Sequence, residues 1–314
     1  MFVKLLEINL FLIYSIKYEI KLKENFNKIY KMIKLLYDKI NLMKDLYGGN
    51  YMEEVLRLTN VNKSFGEHHV LHDVSFAAGR GELIGYIGPN GSGKSTTVKL
   101  MLGILGGYTG TIEVFGKNIE EDLVSYKRKI GYVPEILSLY ESLTGEEYIS
   151  FLSSVYELSN WRGRMEELAE IFQINDALTT RISGYSKGMK QKIAIIGSLI
   201  HNPDILFLDE PLNGMDTNSV AVFKEVLKTL TKQGKTIFYS SHIMEVVEQM
   251  SSRVILLKDG AVIADSTVEE LKNNSRGSSM EEIFNDLTGF TKGHDLAAKF
   301  VDTLTGGETI EDEK

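Results

Sequence analysis

The stretch that most constrains this chain is Gly88-Pro-Asn-Gly-Ser-Gly-Lys-Ser-Thr96, which reads Gly-x4-Gly-Lys-Ser. The apolar run Leu83-Ile-Gly-Tyr-Ile87 ahead of it suits a buried strand, and Thr97-Val-Lys-Leu-Met-Leu102 behind it suits a helix. Strand, glycine loop and helix together form the context a phosphate cradle requires. Gly88, Gly91 and Gly93 carry no side chains, so backbone N–H groups can close around phosphate oxygens. The following helix points its positive dipole end at the same anion. Lys94 would reach the β- and γ-phosphates of a nucleotide, and the Ser95 hydroxyl would meet Mg²⁺. The bland alternative, a glycine turn beside a chance lysine, does not account for the flanking strand and helix. The expected nucleotide-binding set is thus Gly88, Pro89, Asn90, Gly91, Ser92, Gly93, Lys94, Ser95 and Thr96.

The chain's 314 residues allow one or two domains with a sizeable core. A net charge of −8 argues against a general nucleic-acid binder, which needs a basic face. With no cysteine there are no disulfides, thiolate chemistry or cysteine metal sites, and the composition fits a reducing compartment. The longest apolar stretch, Ile8 to Ile16, is too short to span a bilayer and is followed by no small-residue cleavage site. A soluble chain is expected, with any membrane role running through a partner.

Composition changes abruptly at Met52. Residues 1–51 are almost all Lys, Leu, Ile, Asn, Tyr and Phe, without a single Ala, Arg, Pro or Thr, and those residues largely have AT-rich codons. The Gly48-Gly49 pair can be encoded by a purine run of ribosome-binding type just upstream of a Met52 start codon. One reading is therefore translated upstream sequence, with the working protein starting at Met52. The other is a basic amphipathic helix, since Phe26, Ile29, Ile33, Leu36, Ile40, Met43 and Tyr47 keep a heptad spacing suited to a membrane surface or a partner helix.

From Glu53 to Phe76 the residues alternate in strand fashion, and Thr111 to Phe115 with a Gly116-Lys-Asn turn extend an antiparallel set. Ile130-Gly-Tyr-Val133 is a buried strand candidate stopped by Pro134. From Thr144 to about Ala177 helical spacing marks an insertion, and after Tyr185 helix and strand alternate again, as in a parallel α/β core. Pro203-Asp-Ile-Leu-Phe-Leu-Asp209-Glu210 is an apolar strand delivering two carboxylates at its carboxyl end, where ligands sit in open α/β sheets. Asp209 would hold Mg²⁺ directly or through water, and Glu210 would face the attacking water as general base or orienting group. The alternative is an acidic strand end in a loop. Thr236-Ile-Phe-Tyr-Ser-Ser-His242 is a second such strand, bringing His242 near the same edge. His68, His69, His72, His201 and His294 read as packed or surface residues.

In this order the motifs resemble the ATP-binding subunit of ABC transporters, from Met52 to about Gly289. The resemblance rests on a set of motifs and is far more specific than the glycine loop alone. Tyr185-Ser-Lys-Gly-Met189, followed by Lys190-Gln-Lys192, is similar to the family signature in variant form. The resemblance implies a head-to-tail dimer in which Ser186 and the Gly188 N–H contact the γ-phosphate of ATP held by the other subunit. Asn213-Gly-Met-Asp216 corresponds to the D-loop crossing that dimer, His242 to the switch histidine, and Phe65 to the aromatic ring stacked on adenine. Phenylalanine replaces the usual tyrosine and keeps the stacking face; a core role for Phe65 is the alternative. The family also implies an α/β fold, a P-loop NTPase (RecA-like) core with an antiparallel β subdomain and an α-helical subdomain at about 137–187. The ATP-binding domain would span 52–270, and 271–314 a C-terminal helix and flexible acidic tail.

Two departures stand out. Lys187 and Met189 replace a glycine and a glutamine of the common signature, with Gly188 kept. Glu135, after Pro134, stands where most of the family has a glutamine that meets Mg²⁺ and couples to the membrane subunit. A bare carboxylate about 4 Å from a phosphate charge costs roughly 4 kcal/mol at an effective dielectric near 20. Glu135 must therefore ligate the metal, face a cation or swing away. The Val-Pro-Glu variant looks like that of drug, bacteriocin and sodium exporters with separate membrane subunits, and Ser278 to Gly289 resembles their short terminal helix. The expectation is an ATPase on the cytoplasmic face of a membrane, peripheral, using ATP and Mg²⁺. Its partners would be transmembrane permease subunits and a second ATP-binding subunit, with no nucleic acid expected. Glu210, His242 and Lys94 would carry catalysis, and Ser95, Asp209 and Glu135 would hold the metal. A soluble ABC ATPase acting on ribosome or DNA, or a non-hydrolysing regulatory module, are the alternatives.

Overall fold

The computed structural model describes residues 53–274, 279–289, 299–301 and 303–304. The chain divides into two units, with the boundary between Met52 and Glu53. Both readings of residues 1–51, the acidic tail and His294 lie outside the described residues.

Among the described residues of the second unit the strands form two sheets. Four strands, β1 (Glu54–Phe65), β2 (His68–Gly79), β4 (Thr109–Val114) and β5 (Lys117–Asn118), form an antiparallel sheet in the order β2-β1-β4-β5. The Gly116-Lys-Asn segment is thus a turn followed by a two-residue strand: Phe115 and Gly116 both take positive φ, and Val114 pairs with Lys117. The other sheet has six strands, β3 (Leu83–Ile87), β6 (Ile130–Val133), β7 (Ile205–Asp209), β8 (Thr236–Ser240), β9 (Arg253–Lys258) and β10 (Ala261–Thr267), ordered β10-β9-β3-β8-β7-β6. Five of these run parallel, and β10 turns back on β9 through Asp259-Gly260. Every residue of β3 and β8 is buried, which is why they read as unbroken apolar runs.

The helices of the described residues are α1 (Lys94–Met101), α2 (Leu123–Lys127), α3 (Gly145–Val155), α4 (Trp161–Ile171), α5 (Lys187–Leu199), α6 (Thr217–Lys232), α7 (Met244–Met250), α8 (Val268–Asn274) and α9 (Met280–Thr288). The helical insertion is α3 and α4 plus two 3₁₀ turns, opened by a capping box between Thr144 and Glu147. Ile149, Met165, Ala169, Phe172 and Ile193 close its core, and the Tyr185 hydroxyl donates to Ala177 O at 2.6 Å, fastening its exit into α5. The two sheets meet at an aromatic cluster. Phe76 of β2 lies 5.9 Å from Tyr86 and 6.2 Å from Phe238, and Phe238 stacks 5.0 Å from Phe207. Such pairs add roughly 0.5–1.5 kcal/mol each beyond the area they bury.

This topology decides where function sits. β3, β8, β7 and β6 are neighbours running the same way, so their carboxyl ends bring residues 88, 241, 210 and 134 to one edge. That is the crevice side of an open α/β sheet.

Candidate functional site

At that edge lies a cavity of about 330 Å³, walled by Asn90 to Thr96, Glu135, Asp209, Glu210, Ser240, Ser241, His242, His68 and Val70. Gly88 and Pro89 face an adjoining cavity of about 710 Å³ that shares Asn90 and His242 and is closed by Glu281, Phe284 and Thr288 of α9.

The loop's shape is fixed from behind by the β9–β10 hairpin. A Cβ on Gly88 would stand 2.1 Å from Leu257 O, so backbone lies against backbone there. Gly260 N donates to Ser92 O at 3.1 Å, and His72 N donates to Gly260 O at 2.8 Å, tying the loop to both sheets. Gly93 begins α1 in the left-handed region and offers no side-chain cap. The first N–H groups of this helix therefore have no side chain to satisfy them, as an anion site requires. Ser92 Oγ is buried with no hydrogen-bond partner among the described residues, a second group suited to an incoming oxygen.

Lys94 folds its ammonium back over the loop, donating to Gly88 O at 2.5 Å and Pro89 O at 3.0 Å. Burial holds its pKa below the usual lysine value, opposed by the Asp209, Glu210 and Glu135 carboxylates. Glu135 is exposed on the cavity wall, and the cation that feels it is Lys94.

Asp209 pairs with Ser240 across β7 and β8 and accepts a hydrogen bond from its hydroxyl. Glu210 is 8% exposed and sits in the left-handed region at φ 47°. Its carboxylate accepts from His242 N at 2.6 Å and from Ser241 Oγ at 3.3 Å, with the His242 ring 3.8 Å away. Burial raises the Glu210 pKa above the ordinary carboxylate value, partly offset by the His242 N–H. Ser95, Asp209 and Glu135 supply hard oxygen donors to one cavity, as Mg²⁺ prefers when phosphates and water complete its shell. Among the described residues no group of three or more His, Cys, Asp or Glu could hold a metal alone.

Besides Gly88 and Pro89, which line the adjoining cavity, three sequence-derived residues stand outside these walls: Phe65, Ser186 and Gly188. Phe65 ends β1, 48% exposed, directly opposite His68 across the hairpin. That exposure is not that of a core phenylalanine. Ser186 caps α5, accepting from Met189 N at 3.2 Å. A Cβ on Gly188 would meet Gly214 O at 2.5 Å, so the signature and the Asn213–Asp216 loop pack backbone to backbone within one chain. Lys192 reinforces the contact through an ion pair with Asp216 at 3.1 Å. Two Ser219 donors and then Lys192 hold the Asp216 carboxyl well below the usual range.

Sequence reasoning missed Ser240, Ser241 and His68 as cavity residues. The two serines directly precede His242 at the end of an apolar strand, a readable position. His68 offered no signal, because it reaches the loop only through the hairpin.

The ABC transporter family model matches residues 71–213. The chain is 33% identical over 237 residues to the ABC transporter ATP-binding protein NatA of Bacillus subtilis, covering 73% of this chain and 96% of that one. It is 31% identical over 226 residues to the bacitracin transport ATP-binding protein BcrA of Enterococcus faecalis, covering 72% and 73%. A solved structure of an ATP binding subunit of an ABC transporter superposes with a TM-score of 0.71 at 31% identity, over 74% of this chain and 99% of that chain. The parallel sheet, the glycine cradle at its edge and these likenesses agree: the chain belongs to the ABC transporter family, as one of its ATP-binding, ATP-hydrolysing subunits.

Proposed function

We propose that this subunit drives export through separately encoded membrane subunits, by ATP-dependent head-to-tail pairing with a second copy or a similar subunit. The observation that carries the reading is the separation of the phosphate cavity from the signature. The two adjoining cavities together carry the whole phosphate loop and the carboxylate pair, yet Ser186 and Gly188 wall neither of them. A γ-phosphate contact from them is then supplied by a partner.

In this reading Gly88 to Thr96 wrap the phosphates, Phe65 stacks on the base, and Lys94 leaves its carbonyls for the β- and γ-oxygens. Ser95, Asp209 and Glu135 would hold Mg²⁺, which would neutralise charge on the phosphates. Glu210 orients the attacking water and accepts its proton; its raised pKa, nearer neutrality, suits a base. His242, whose backbone already fixes Glu210, places its ring toward the γ-phosphate. The partner's Ser186 and Gly188 complete the charge-stabilising shell.

Export is supported by relatives whose names speak of bacitracin transport and linearmycin resistance, and by Val-Pro-Glu135. The helical insertion beside Glu135 passes the closing motion to the membrane subunits. No helix among the described residues is long and apolar enough to cross a membrane; peripheral attachment at the cytoplasmic face is part of the proposal. The test is copurification from native membranes with the Glu210→Gln variant in magnesium-ATP. Recovery of a paired subunit with integral membrane proteins is expected; recovery on ribosomes, or a monomer at saturating nucleotide, would overturn the reading.

A further inference from the structure

Lys63 is a lysine buried to 8% exposure, and among the described residues no carboxylate pairs with it. Its ammonium donates to Gly106 O at 2.7 Å and Gly107 O at 2.8 Å, and stands 4.9 Å from the centroid of the Phe65 ring. Such a site is built. A buried ammonium needs compensation, and two backbone carbonyls and one aromatic face supply it. Gly107 takes φ +66°, and a Cβ there would come within 3.3 Å of the lysine nitrogen, so the loop is shaped to admit the cation. Lys63 and Phe65 are two apart on β1, and the pairing with β2 shifts register just after Lys63, where the ammonium and the ring come together.

We propose that Lys63 is a positioning residue for base recognition: it pins the Phe65 ring and draws π density toward its own side. The outer ring face is thereby left poorer in electrons and better suited to stack on an electron-rich purine. The inference rests on the reading of Phe65 as the base platform. Lys63 touches no substrate, so its effect passes through Phe65 and concerns the base alone.

A double-mutant cycle on the full chain tests this, using equilibrium binding of magnesium-ATP and of inorganic tripolyphosphate, which has no base. Lys63→Met is expected to weaken ATP roughly 2- to 10-fold, to leave tripolyphosphate unchanged, and to have no further effect once Phe65→Ala is present. Equal losses for both ligands, a loss that persists beside Phe65→Ala, or no loss at all would overturn the proposal. Should the Met variant fold poorly, Lys63→Gln keeps a donor for the glycine carbonyls without the charge, and the same outcomes apply. If Phe65→Ala leaves ATP affinity untouched, the platform reading falls and this inference with it. If Phe65→Ala weakens ATP while both Lys63 variants are neutral, only the inference falls.

Discussion

Two helices in this molecule begin at segments tied to ATP, and they begin differently. α1 starts at Gly93 with no side-chain cap, facing a cavity lined by a lysine and carboxylates. α5 starts at Ser186, whose hydroxyl already accepts from Met189 N, and its second residue is pressed against Gly214. An uncapped N-terminus keeps its donors for a ligand; a capped one is stable without it. In the proposed function the first is thus a receptor within its own chain. The second is a finished surface, held with the Asn213–Asp216 loop and able to present the Ser186 hydroxyl hydrogen elsewhere.

Substitutions can break or sharpen this contrast. The largest effect is expected for Glu210→Gln, which should lower phosphate release about 10²- to 10⁴-fold while leaving ATP binding intact; normal turnover would remove Glu210 from the mechanism. Next, Lys94→Ala should weaken ATP on the order of 10- to 100-fold by calorimetry, since hydrogen bonds to charged groups contribute about 1.5–3 kcal/mol. Gly188→Ala should separate the two helices functionally. Its Cβ has no room against Gly214 O, so it should cost about 1–3 kcal/mol and loosen ATP-driven pairing of the Glu210→Gln protein in sedimentation. Nucleotide binding by the monomer should be unchanged.

Smaller still is Ser186→Ala, which removes a cap worth about 1 kcal/mol and should lower the melting temperature by about 2–4 °C. Ser95→Ala, on the uncapped helix, should instead change magnesium-ATP binding with little thermal effect. The last prediction concerns pH. In its proposed role Glu210 must be ionised to act, and burial raises its folded pKa, so the acid limb of turnover should lie above the ordinary carboxylate value. The same sign makes ionised Glu210 a cost. Its contribution to stability is fully present below the unfolded pKa and is lost as pH rises through the folded one. Glu210→Gln should remove that part of the pH dependence, as read by denaturant titration at several pH values.

The uncapped helix was the more legible of the two. Gly-x4-Gly-Lys-Ser between an apolar run and a helix is local text, and so is Leu208-Asp209-Glu210. The physical requirement and the residues that meet it are neighbours in sequence. What held the loop in shape was not local. Leu257 O and Gly260 N are some 170 residues away, and nothing in an Asp-Gly hairpin signal says which loop it will brace. The capped state of Ser186 and the press of Gly188 on Gly214 were hidden likewise. The motif named their partner as a phosphate, whereas the folded monomer gives them protein partners. Phe65 was placed by resemblance; its exposure came from the structure, and its neighbour Lys63 went unremarked because a lysine in a strand usually means a solvated face.

Glu210 holds a backbone conformation that glycine or asparagine would adopt more easily, beside a strand end where its own charge is unwelcome. A laboratory selection that rewards heat tolerance and ignores transport would therefore favour replacements at this position. Its most rugged survivors would be motors that grip fuel and never burn it.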